Sequence, residues 1–168
     1  DTKSAAGEGE AICAAPLMVT LGQPDDGGQL YVDLETEGVV ALVGDPVAAR
    51  GVARAMLTEL AFTPLADTLE VLVIGDLAPP DATTLDHVTL AESWDDVCED
   101  LTEWVAQTHG AIAENGWPNA FVARGHDPDH DALAPVVVIA SEPPPTDLVE
   151  QLGSYPLSTL TVVAVGAI

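Results

Sequence analysis

The sequence predicts an α/β domain in which a mainly parallel sheet is sandwiched by helices, with a β-hairpin on its N-terminal side. Three observations carry this. Val-rich runs recur at 38–44, 69–75, 135–140 and 159–166 with few polar residues, as strands buried on both faces require. Helical patterns lie between them, the order expected of parallel strands joined by crossovers. A chain of 168 residues is also long enough for one solid core, burying about 70% of the surface its unfolded form exposes.

Taken in order, residues 1–15 are small, polar and Gly/Ala-rich and are expected to form a flexible leader. A single domain is expected over 16–168. With no initiating Met and an apolar strand pattern at its end, the sequence reads as a segment of a longer protein. Leu17 to Leu21 and Gln29 to Leu34 are β-prone runs around a Gly/Pro/Asp turn, which predicts the hairpin; Asp25 and Asp26 at its tip follow from turn chemistry without a metal. After the strand at 38–43, Pro46 to Ala61 reads as a helix that is apolar on most sides, with Val47, Val52, Met56, Leu57 and Leu60 among its larger residues. Leu69 to Ile74 is an interior strand ending in Gly75-Asp76, with Pro79 and Pro80 enforcing a loop.

His87 to Leu90 is a short strand, and Ser93 with Asp96 forms a capping box that opens the longest helix. Trp94, Val97, Leu101, Trp104, Val105 and Ile112 make its apolar stripe, and Asn115-Gly116 stops it. Residues 117–124 are expected to hold one irregular strand, and 125–131 a polar loop. Val136 to Ile139 is the next buried strand; Pro143 to Pro145 delay the following helix until Thr146, a cap for a short helix to Leu152. The last strand spans 159–166.

Charge narrows the function classes. Four Lys+Arg against 28 Asp+Glu give a formal −24, a field that repels nucleic acid and anionic membrane surfaces. No run approaches the ~18 apolar residues needed to span a bilayer. Cys13 and Cys98 stand in no metal-like spacing and are read as free thiols of a reducing, cytoplasmic compartment. The acidic face Asp95, Asp96, Glu99, Asp100 and Glu103 reads as a solvated helix face.

The turn from Gly44 to Gly51 is the place to look for chemistry. A phosphate-binding P-loop needs G-x-x-x-x-G-K-[ST], glycines to bare its N–H groups, a Lys for the outer phosphates and a hydroxyl for Mg²⁺. Laid from Gly44, this chain has Ala49 at the second Gly, Arg50 at the Lys and Gly51 at the Ser/Thr. Asp45 is the predicted N-cap ahead of Pro46, which sets a carboxylate where a phosphate would sit. Arg50 and Arg54, one turn apart, could attract an anion or pair with the protein's own carboxylates, and the acidity of the chain favours pairing. No G-x-G-x-x-G follows any strand and no G-x-S-x-G elbow occurs. His126 and His130, with intervening Asp residues, are the only metal candidates, and weak ones, since no helix is expected to hold both rings on one face.

The order of hairpin, strand with P-loop frame, strand, long amphipathic helix, Val-rich strand and last strand resembles the FtsK/SpoIIIE-type ATPase domain, which includes DNA translocases and the type VII secretion ATPase. It is also similar to cryptic domains of large actinobacterial membrane proteins with LysM or transcriptional-activator modules. The resemblance covers 16–168 and implies a P-loop NTPase-like fold. It also implies that the Val-rich strand should end in Asp-Glu, for Mg²⁺ and for the attacking water; here Ala140 and Ser141 follow, with Glu142 one place late. Catalytic residues and cofactors are therefore expected to be none. The expectation is a regulatory or structural module that contacts other domains of its parent chain or a protein partner, with no nucleic acid and no direct membrane contact. Two other readings stay open: a weak NTPase completed in trans around Arg50, and an acidic surface docking a basic partner.

Overall fold

The computed structural model describes residues 17–64, 68–78, 84–127, 130–154 and 158–168. The expectations for the leader 1–15, for Cys13 and for the loop prolines Pro79 and Pro80 lie outside those residues. In chain order the elements are β1 (Met18–Gly22), β2 (Leu30–Asp33), α1 (Leu34–Glu37), β3 (Val39–Leu42), α2 (Pro46–Ala61), β4 (Glu70–Ile74), β5 (Val88–Ala91), α3 (Cys98–Asn115), α4 (Ala120–His126), β6 (Val136–Ala140), α5 (Thr146–Gly153) and β7 (Leu160–Val165).

Five strands pair side by side in the order β3-β7-β6-β4-β5, every pair parallel. β1 and β2 form a separate antiparallel hairpin, with Val19 opposite Val32 and a bulge between Thr20 and Gly22. Strand alternation then builds two cores. Val71, Val73, Val137, Ile139 and Val163 face Met56, Leu57 and Leu60 of α2 and Leu17, Val19 and Leu34 around the hairpin. Ile74, Val136, Val138, Leu160 and Val162 face the other way, against Leu101 and Val105 of α3 and Leu148 and Leu152 of α5. Each fully buried aliphatic side chain contributes roughly 1.5–3 kcal/mol, and strands covered on both faces must be apolar along their whole length. That is why β6 reads Val-Val-Val-Ile-Ala, all of it buried.

Several elements differ from the sequence expectation. Residues 117–124 are not a strand: Asn119 caps α4, its Oδ1 accepting from the Val122 N–H at 2.9 Å, and Ala120 and Ala123 are the buried face. Two small buried residues over about two turns give too faint a stripe to read as a helix. Ser93 and Asp96 do form the capping box, but around the short 3-10 turn Trp94–Asp96, so α3 starts at Cys98. Thr146 is the first residue of α5 and Pro145 its cap. Helix α2 buries one face, Ala49, Ala53, Met56, Leu57, Leu60 and Ala61, whereas Val47 is 80% exposed. Among the described residues no helix is long and apolar enough to cross a membrane.

Candidate functional site

The candidate site is the strand-turn-helix formed by β3, residues 43–45 and α2, at the carboxyl ends of the parallel strands. Ligands of open α/β sheets bind outside that edge. Gly44 takes a φ of +119°, a conformation that side chains disfavour, and turns the chain sharply out of β3. Asp45 then caps α2 as predicted: its Oδ1 accepts from the Ala48 N–H at 2.9 Å, and Pro46 occupies the first turn, where no N–H is needed. A phosphate would need those same first-turn donors, and it would meet the Asp45 charge on approach.

The frame positions fall as follows. Ala49 is buried against the sheet, Arg50 is half-buried, and Gly51 is exposed with open space where a Cβ would stand. The Arg50 guanidinium bonds the Asp76 carboxylate, and Arg54 Nη2 donates to the Asp76 carbonyl at 3.2 Å. This hydrogen bond from Arg50 holds the Asp76 carboxyl below its usual range. The sequence reading assigned Asp76 only to a strand end. The signal that could have found it was Gly75: with φ +82°, it reverses the chain after β4 and presents the next side chain to α2. A Cβ on Gly75 would collide with the Ser141 Oγ, so the ends of β4 and β6 pack without a gap.

The end of β6 lies on the same edge of the sheet as this turn, two strands away, with β7 between β3 and β6. Ala140 is buried, Ser141 donates its N–H to the Ile74 carbonyl, and Glu142 is exposed, its carbonyl accepting from Trp94 Nε1 at 3.4 Å. Thus the Glu142 side chain is open to solvent while its main chain is anchored by Trp94 of the 3-10 turn ahead of α3.

The histidine pair is apart in role. His126 is the last residue of α4, not a loop residue, and its ring stacks on Trp117 with centroids 6.2 Å apart. His130 Nδ1 accepts from the Ala132 N–H at 3.2 Å, capping the 3-10 turn Asp131–Leu133. The residues between them, Pro128 and Asp129, lie outside those described. Among the described residues no group of three His, Cys, Asp or Glu side chains could hold a metal ion. Cys98 is a free thiol at the start of α3.

At the opposite, N-terminal end of the sheet a second arginine is buried. Arg124 of α4 pairs with Glu35 of α1, which is 4% exposed and whose N–H donates to the Asp33 Oδ1. Burial lowers the guanidinium's proton affinity, and the nearby Asp33 charge partly restores it. Thr161 Oγ1 donates to the Leu34 carbonyl at 2.7 Å and ties the same corner to β7.

No family model and no curated protein matches the chain. Solved structures do. The chain is similar to the pCW3 conjugation coupling protein TcpA, solved as a monomer with ATPγS, at 12% identity and a TM-score of 0.67. It is similar to the cytoplasmic domain of the Thermomonospora curvata type VII secretion ATPase EccC at 14% identity and a TM-score of 0.63. Each match covers 89% of this chain, which spans 48% of the first structure and 21% of the second. Identity this low carries the architecture and not the activity: the chain has the P-loop NTPase-like α/β fold of these FtsK/SpoIIIE-type structures, a mainly parallel five-stranded sheet flanked by helices, and it carries an antiparallel hairpin on its N-terminal side.

Proposed function

We propose that this chain is a non-catalytic P-loop-like module of a larger multidomain protein, structural or regulatory, acting through contacts with other domains of its parent or with a protein partner. One observation carries the reading: at the position of a phosphate cradle, the Asp45 carboxylate already takes an α2 N–H and Asp76 already takes Arg50. The departures at Ala49, Gly51, Ala140, Ser141 and Glu142 support it, because phosphoryl transfer depends on positioning and metal-assisted charge stabilisation by the residue types missing there. No cofactor is needed for such a role. The charge of −24 supports a module that avoids nucleic acid and membrane surfaces, and the likeness to a cytoplasmic domain of a secretion ATPase supports a cytoplasmic position, as part of a membrane protein.

Isothermal titration with Mg·ATP and Mg·GTP tests this. No heat of binding is expected; a Kd tighter than about 100 μM, roughly −5.5 kcal/mol, would overturn it. A second reading, nucleotide binding completed in trans around Arg50, is favoured by the exposure of the Arg50–Asp76 pair, whose side chains are 31% and 75% exposed and can part in water. It requires that Arg50→Ala abolish a nucleotide-induced thermal shift in the parent protein.

A further inference from the structure

On the side of the sheet away from β3, a groove between β4, β5 and α3 has the makings of a second site. Strand alternation turns Glu70 and Leu72 of β4 and Thr89 of β5 toward α3, and Leu72 lies beside Thr89 in the parallel register. The helix covers this strip only in part. Its leading turn is the 3-10 segment Trp94–Asp96, and the helix proper starts at Cys98; Leu101 is buried, while Leu72 and Val97 stay half-buried and Thr89 is exposed. What remains is a groove of about 220 Å³ lined by Glu70, Leu72, Thr89, Val97, Asp100 and Leu101. Its floor leaves apolar surface in water, and covering that surface is favourable.

Charge and size identify the occupant. α3 crosses back from the carboxyl end of β5 to the start of β6, so Asp100 on its first turn lies toward the carboxyl end of the strands and Glu70, the first residue of β4, toward the other. Both carboxylates are exposed, and neither has a hydrogen-bond or ion-pair partner among the described residues. The described cations are spoken for: Arg50 and Arg54 are held at Asp76, and Arg124 at Glu35. An apolar strip with an anion toward each end matches a linear chain with a cation at each end. The volume is that of roughly seven water-sized groups at ~30 Å³ each, about the size of a diamine with four or five carbons. We propose that this groove binds a linear alkyl diamine in its doubly protonated form. Its methylenes lie on Leu72, Val97 and Leu101, one ammonium group meets Glu70 and the other Asp100. The site is independent of nucleotide at the Gly44 turn, so it goes beyond the function proposed above, and its failure would leave that reading untouched.

The probes are α,ω-diaminoalkanes of about three to ten carbons, titrated into the full chain at about 0.15 M salt and followed by amide chemical shifts. Saturable shifts at Leu72, Thr89 and Val97 are expected, with a Kd of about 1 mM or tighter and an optimum at four or five carbons. Pentylamine keeps the methylenes and drops one charge, so it should bind about three- to fivefold more weakly; Glu70→Gln and Asp100→Asn should each cost the diamine as much. Glu99→Gln makes an equal change of charge on the same helix outside the groove and should alter Kd less than about twofold. Thr89→Phe fills the groove without touching its charge and should abolish saturable binding; because Thr89 is exposed, the rest of the spectrum should stay folded and unchanged. Affinity that ignores chain length, a loss from Glu99→Gln equal to that from Asp100→Asn, or full binding by Thr89→Phe would show counter-ion attraction alone and overturn the inference. So would shifts that never saturate.

Discussion

Each end of the parallel sheet sets one arginine against one carboxylate, and the two pairs sit in different surroundings. At the C-terminal end Arg50 and Asp76 meet in water, with Asp76 three-quarters exposed; at the N-terminal end Arg124 and Glu35 are 14% and 5% exposed. An exposed pair gains little from Coulomb attraction and can exchange partners, whereas a buried pair has lost its hydration and cannot give up a partner cheaply. The difference separates two jobs. The buried pair pins α4 to α1 and so fixes one end of the sheet, while the end where ligands of such folds bind is closed by contacts that water can replace.

The strongest way to break this comparison is Arg124→Ala. Leaving Glu35 buried without its partner is expected to cost about 3–5 kcal/mol in urea unfolding, and joint Arg124→Met and Glu35→Leu to recover most of it. A single-variant loss below about 1 kcal/mol would put both pairs in one class. Gly75→Ala should cost about 2 kcal/mol, from the left-handed φ and the collision with Ser141, showing that the C-terminal end owes its shape to main chain and not to charge.

Smaller effects sharpen the contrast at the turn. Asp45→Ala should lose about 0.5–2 kcal/mol in thermal or urea unfolding if the cap on Ala48 is all that its carboxylate does. Asp76→Asn is the smallest change and reads through pH. The folded carboxyl titrates below its usual range, so its contribution is present above the unfolded pKa and is lost as pH falls through the lower folded value. The variant should flatten that acidic limb slightly, and high salt should erase the difference.

Much of the architecture was legible because burial on both faces leaves a strand little choice of residue: Val136 to Ala140 and Leu160 to Val165 could scarcely be anything else. The Asp45 cap was legible for a local reason, a carboxylate three residues ahead of the N–H it accepts. What sequence did not disclose is what depends on distance. Glu35 and Arg124 are far apart in the chain and each looks like an ordinary surface residue until α4 and α1 are packed together. Asp76 was one of many carboxylates that could have met Arg50. Helix α4 was hidden because its buried side is two alanines, and the exposure of Val47 was hidden because a helix rich in Ala and Val shows no sharp polar boundary.

The register of β3 has a kinetic consequence. Its sheet neighbour is β7, with Val39 beside Val162, almost the whole described chain away. Pairing so remote in sequence must wait for a large loop to close, which is slow, and during synthesis it waits until β7 has emerged. The hairpin and α2 can form early, but the turn at Gly44 acquires its fixed position only when the last strand slides in between β3 and β6. Until then the Val39–Leu42 segment is an unpaired apolar strand with both edges bare, the stretch of this chain most in need of a chaperone.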